Sequence, residues 1–240
     1  MSATPATTPK TVSTSGFGIT WDDDGERFFE AGVERGVLFV KTSGVYGAGV
    51  AWNGLTSVSE APEGGEANAI YADNIKYLNL TSREDFAGSI SAYMYPPEFY
   101  ECEGVKSATA GVYLAQQKRK EFGLTYTTRV GNDEDGEDHG YKIHIIWNAL
   151  ASPSSKDYST TTDSTEPGEF SWDFTTTPSK DVPSGFKPCA YMVIDSRTVD
   201  GTKLTSFENT LYGTAGSGSA ATTPSLPTPA AVVTALTASA

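Results

Sequence analysis

The chain has 240 residues, with 17 Lys and Arg against 30 Asp and Glu, for a formal net charge of −13. That balance argues against binding to a nucleic-acid backbone, which requires clustered cations to displace counterions. Hydrophobic content of 38% with 11% aromatic residues supports a packed core, and a charged fraction of only 20% favours sheets and loops over long charged helices.

Residues 1–15 are Thr, Ser, Pro and Ala with a single charge, Lys10, and read as a flexible N-terminal arm. They lack an apolar core, so no signal peptide is expected. No stretch approaches 18 apolar residues, so no membrane anchor is expected. Residues 16–213 are expected to form one β-rich domain. Its first feature, WDDDGERFFEAG (21–32), half-matches a calcium loop: Gly25, Asp24 and Asp22 fit, but Thr20 and Ala31 occupy positions that need acids. The glycines of SGVYGAGVAWNG (43–54) fit neither a dinucleotide nor a phosphate-loop order and suit tight turning.

Period-two alternation then dominates. It predicts strands over 48–58, 67–80, 86–95, 121–130 and 140–148, with further strands at 169–177 and 189–195. In 67–80, Tyr71, Ile75 and Tyr77 share one side. In 86–95, Phe86, Ile90, Ala92 and Met94 share the inward face. In 121–130, Phe122, Leu124, Tyr126 and Thr128 align. In 140–148, Tyr141, Ile143, Ile145 and Trp147 point in, while Lys142, His144 and Asn148 point out. A short helical turn is expected after Pro96-Pro97. Lys118-Arg119-Lys120, the only compact basic run, reads as a solvated face. One longer helix is expected over 200–213, with Leu204, Phe207 and Leu211 at i, i+3, i+7, an acid at its start and Gly213 as its stop. Residues 214–240 carry no charge and read as a second arm, in which Leu226, Val232, Val233 and Leu236 could dock on a neighbouring surface. The fold expected is therefore mainly β, two packed sheets or a barrel with one flanking helix.

Chemical motifs are scarce. Between the strands at 121–130 and 140–148 lies GNDEDGEDHG, with five acids: Asp133, Glu134, Asp135, Glu137 and Asp138. Aligned as a calcium loop on Gly136, it has Gly131 where the first acid belongs, so it reads as a charged hairpin tip, its five acids candidates for subunit or ring contacts or for the lining of a lumen. His139 and His144 are the only histidines, there is no HExxH and no G-x-S-x-G elbow, and the two cysteines, Cys102 and Cys189, sit in no CxxC. No catalytic residue, cofactor or resident metal is expected, and the cysteines are expected as buried thiols.

Several phrases in order carry a resemblance: GVERGVLFV (32–40), the run AWNGLTSVSEAPEGG to YMYPPEF (51–99), GNDEDGEDHGYKIHIIWNALASPSSKDYSTTTDS (131–164), FSWDFTTTP (170–178) and the DGTKLTSFENTLYG and LPTP endings. Over roughly residues 16–236 the chain resembles the major tail protein, or tail-tube protein, of long-tailed bacteriophages with non-contractile tails. The resemblance implies two packed β-sheets with a flanking helix, a subunit of stacked hexameric rings, and a hollow tube through which DNA passes without specific binding. It further implies a non-enzymatic virion protein, assembled in the host cytoplasm, whose partners are other copies of itself, a tape-measure protein and a tail terminator. Two other readings stay open: a carbohydrate- or receptor-binding β-sandwich module, suggested by exposed aromatics and acidic loops, and a hydrolase using an Asp and Glu pair, whose separation in space the sequence does not fix.

Overall fold

Strands spread from Phe29 to Asp195 build one large antiparallel sheet. The computed structural model describes residues 21, 23–158, 160, 167–216 and 220–237; the expected arm at 1–15 lies outside them. The strands are β1 (Phe29–Thr42), β2 (Val45–Tyr46), β3 (Val50–Ala51), β4 (Leu55–Glu60), β5 (Glu63–Gly64), β6 (Ala67–Ala72), β7 (Ile75–Thr81), β8 (Glu84–Asp85) and β9 (Ala87–Ala92). A short turn, Pro97–Phe99, runs into α1 (Tyr100–Glu103), followed by β10 (Lys106–Thr109), β11 (Val112–Leu114), β12 (Phe122–Asn132), β13 (Gly136–Ala151), β14 (Phe170–Thr176), β15 (Tyr191–Asp195), α2 (Gly201–Tyr212) and α3 (Pro229–Thr237).

The sheet runs β2-β1-β12-β13-β14-β9-β4, and the long β13 forks: its middle, Lys142 to Ile146, pairs β15, and its last residues pair β14. The ribbon curls until β4 returns beside β1. There Leu55 and Trp52 lie directly over Gly36, and the Trp52 amide donates to the Gly36 carbonyl at 2.8 Å. The result is a barrel-like double layer with a wall of β1, β12 and β13 facing β14, β9 and β4. Leu38, Phe122, Leu124, Ile146, Ile90, Trp172 and Phe174 fill the space between. Phe99 and Cys102, both fully buried, close one end of it. Cys102 and Cys189 are free thiols, the first buried and the second half-buried.

The other face of the wall packs Val37, Phe39, Ile143, Ile145 and Trp147 under α2, whose Leu204, Phe207 and Leu211 point down as the spacing predicts. Asp200 caps α2 by accepting from the Thr202 and Lys203 amides at 3.0 and 3.1 Å, leaving fewer orphan donors in its first turn. Two packed layers with few helices match the expected mainly-β class. The expected arm at 214–240 instead contains a second flanking helix, α3, with Leu226 and Val232 buried against the same core as α2. The docking foreseen for this segment takes place on its own chain.

Four strand expectations need correction. The run 48–58 is split by a turn at Asn53-Gly54 into β3 and β4. The run 67–80 is a hairpin: Asp73 and Asn74 both adopt left-handed backbone (φ 50° and 61°), a turn that matches the strands' twist. Met94 is exposed because β9 ends at Ala92. His144 is buried, since β13 is covered on both faces. A backbone irregularity at Asn148 (φ 51°) also shifts the alternation, so that Trp147 faces the helices while Ala149 and Ala151 face the layered core.

Candidate functional site

The five acids named from the sequence lie at the turn joining β12 to β13. Asn132 shapes that turn by accepting from the Glu134 and Asp135 amides, and Gly136 supplies the left-handed residue (φ 64°) that closes it. Asp133 reaches the other acidic segment: it accepts from the Gly25 amide at 3.0 Å and pairs with Arg27 at 3.1 Å, while Asn132 donates to the Gly25 carbonyl at 3.1 Å. Asp135 contacts His139 at 2.9 Å and Asp138 lies 3.9 Å from Arg129. Glu134 and Glu137 are exposed and make no ion pair among the described residues. The two half-matched calcium loops therefore meet as a hydrogen-bonded pair of turns. Among the described residues no group of three His, Cys, Asp or Glu is placed to hold a metal ion.

At the far end of the same strands lies a groove of about 750 Å³ lined by Lys41, Lys106, Lys118, Arg119 and Lys120, with Glu101 and Glu121 as its acids. Lys41 pairs with Glu121 at 2.7 Å, Lys120 with Glu101 at 2.5 Å, and Arg119 donates to the Ala151 carbonyl at 2.6 Å. Lys106 and Lys118 are exposed and have no ion pair among the described residues. The basic run 118–120 is thus half of a larger cationic surface. Lys41, from the end of β1, and Lys106, from the start of β10, join it only through the fold, so no local pattern announces it.

Inside the double layer sits a polar network that sequence reasoning missed. His144 stacks on Tyr126 (ring centroids 4.6 Å apart) and contacts the Tyr191 hydroxyl at 2.6 Å through Nδ1 and the Thr128 hydroxyl at 2.8 Å through Nε2. Tyr126 and Tyr191 both donate to Glu60 Oε1 across the layers, at 2.6 and 2.5 Å. Burial pushes the imidazole below its ordinary value of 6.5, while the nearby Glu60 and Glu30 carboxylates oppose the shift. An unfolded chain therefore binds this proton at a higher pH than the folded one. The contribution to stability is complete above pH 6.5 and is lost as pH falls through the lower folded value. Chemical denaturation between pH 7 and 5 should show stability falling with pH, and His144→Gln should flatten that slope. An unchanged slope in the variant would remove His144 as its source.

A second exposed feature is apolar. On the β6–β7 hairpin, Ile70, Tyr71, Ile75, Tyr77, Leu78 and Leu80 are between 38% and 70% accessible. The β10–β11 hairpin adds exposed Val112, Tyr113 and Leu114.

No protein-family model and no curated protein matches the chain. Among solved structures, it is similar to a chain from the cryo-EM structure of an extracellular contractile injection system, the PVC sheath-tube complex in its extended state. The identity is 12%, covering 77% of this chain and 99% of that chain, at a TM-score of 0.28. No helix of the described residues is long and apolar enough to cross a membrane.

Proposed function

We propose that the chain is a structural, non-catalytic subunit of a phage tail tube, assembling into hexameric rings that stack around a channel for the genome. The observation that supports this most is the β6–β7 hairpin. Its two strands pair only with each other, yet large apolar side chains stand exposed on both of its faces. A two-stranded hairpin is marginal alone in water, and a soluble monomer rarely leaves so much apolar side chain uncovered on one element. Contact with neighbouring subunits would bury it. The sequence resemblance points the same way, and a net charge of −13 suits a wall past which phosphate must slide. Under this reading the partners are other copies, a tape-measure protein and a tail terminator, and the location is the virion.

Electron microscopy of the concentrated protein should show rings or tubes. Tyr71→Asp with Tyr77→Asp should abolish them while leaving the thermal melt unchanged, because both side chains touch little within the subunit. A wild-type protein that sediments as a monomer at every concentration would refute the proposal. Glycan binding lost on Tyr71→Ala, without self-assembly, would favour the carbohydrate-binding module instead.

A further inference from the structure

The acidic tip and the basic groove occupy opposite ends of one three-stranded wall. β12 leaves the groove at Glu121 and reaches the tip at Asn132; β1 runs from beside the tip, Phe29 opposite Gly131, to Lys41 and Thr42 at the groove. β13 returns from Gly136 at the tip to Leu150 in the groove lining. The eleven residues of β12 separate the two ends by about 35 Å at roughly 3.4 Å per residue. The charges are segregated along this axis. The tip end holds Asp133, Glu134, Asp135, Glu137 and Asp138, with Asp23, Asp24 and Glu26 on the adjoining turn. The groove end concentrates five cations around two carboxylates in a chain that is otherwise strongly acidic.

We infer that the basic groove receives the acidic β12–β13 tip of a second copy of this chain, joining subunits head to tail along the direction of β12. The inference rests on the tube-subunit reading and names the partner of the acidic tip within it. The charges left over after internal pairing are complementary: Lys106 and Lys118 at the groove, Glu134 and Glu137 at the tip, all four exposed. Copies with net charge −13 repel one another as whole bodies, so attraction requires a specific relative orientation, and the segregated ends provide one. A joint between two different surfaces of the same subunit does not close on itself as a pair; it leaves a free groove and a free tip for the next copy, and so propagates. The tip is also the right shape for a groove. It is a tight turn on two paired strands whose backbones lie about 5 Å apart, not a broad surface.

Charge exchange in the full chain tests this. One variant carries Lys106→Glu and Lys118→Glu, a second carries Glu134→Lys and Glu137→Lys, and a third carries all four. Since none of these side chains makes an ion pair among the described residues, and the exposed Glu137 has only a longer-range attraction to Arg129, all three should melt within a few degrees of the wild type. Tube length by electron microscopy and mass by sedimentation velocity are the readouts. Each double variant alone should need about tenfold more protein to elongate, because like charges then face each other across the joint. Mixing the two doubles should restore elongation, since each variant's tip then fits the other's groove. The fourfold variant should elongate by itself. Raising salt to 1 M, where the screening length is about 3 Å, should shorten wild-type tubes. Tubes that form equally in the wild type and both doubles would overturn the head-to-tail joint and leave the tube reading standing. A wild type that never self-associates would overturn both.

Discussion

Trp172→Ala is expected to destabilise the protein by about 3–5 kcal/mol, close to the whole stability of many domains of this size. Trp172 is 1% exposed and lies on β14 in the middle of the layered core. Its ring meets those of Tyr95, Phe99 and Trp52 edge-on, with centroids 5.1, 5.2 and 5.9 Å away. Edge-to-face packing of this kind adds to area burial, so neighbouring rings lose contacts on several sides when the indole is removed. The indole N–H also donates to Glu103, whose side chain is 9% exposed and pairs with Lys156 at 2.8 Å. Truncation thus leaves a cavity and one fewer donor to a nearly buried carboxylate, two costs that add. Urea denaturation should report the loss directly. Tyr158→Ala is the matched control: that ring is 80% exposed and among the described residues meets the ring of Phe170 alone, edge-on, so its removal should change stability by less than about 0.5 kcal/mol. A Trp172→Ala protein within about 1 kcal/mol of wild type would mean that the two layers are not held together by this aromatic cluster.

How much of this was legible in the sequence follows from how each signal arises. Phe122, Leu124 and Tyr126 on β12, and Ile143, Ile145 and Trp147 on β13, alternate cleanly because each set faces one core. Reading the opposite side of β13 as solvent was wrong because alternation records residue type, not what covers the other face. His144 and Lys142 are polar there, yet His144 is buried beside Glu60 at the end of β4, and the Tyr191 and Thr128 hydroxyls satisfy its ring nitrogens. Asp73-Asn74 turns the chain as Asn-Gly would, without a glycine to signal it. The helix at 201–212 was legible because its cap, spacing and stop are all local. The acidic tip was legible as a turn, but its contact with the 23–27 turn joins residues 108 positions apart, and the cationic groove at the far end likewise combines distant segments. Only the sheet's register brings them together.

The C-terminal segment illustrates the same limit and supports the second large prediction. Composition reads TAGSGSAATTPSLPTPAAVVTALTASA as an arm because small residues dominate it, and an arm can be removed at no cost to the subunit. In the fold it is a strap. Thr214 and Thr222 exchange backbone hydrogen bonds, Ser225 donates its amide to the Thr210 carbonyl, and Pro224 accepts from the Gly49 amide at 3.1 Å. Leu226 seats over Gly123, where a side chain would block it, and the Trp147 indole donates to the Pro227 carbonyl at 2.9 Å. Val232 on α3 then completes the cover with no exposed surface. Burying Leu226 and Val232 is worth about 1.5–3 kcal/mol each, and their loss would also uncover Trp147 and Phe39. Ending the chain at Gly213 should therefore cost about 5 kcal/mol or more, enough to bring a typical domain close to unfolding. The expected result is a product that loses its cooperative melt or aggregates on expression. Val232→Asp should reproduce much of the loss in the full-length chain by placing an unpaired charge in the same core. A chain ending at Gly213 that melts like the full-length protein would return the segment to the status of an arm, free to reach a neighbouring subunit.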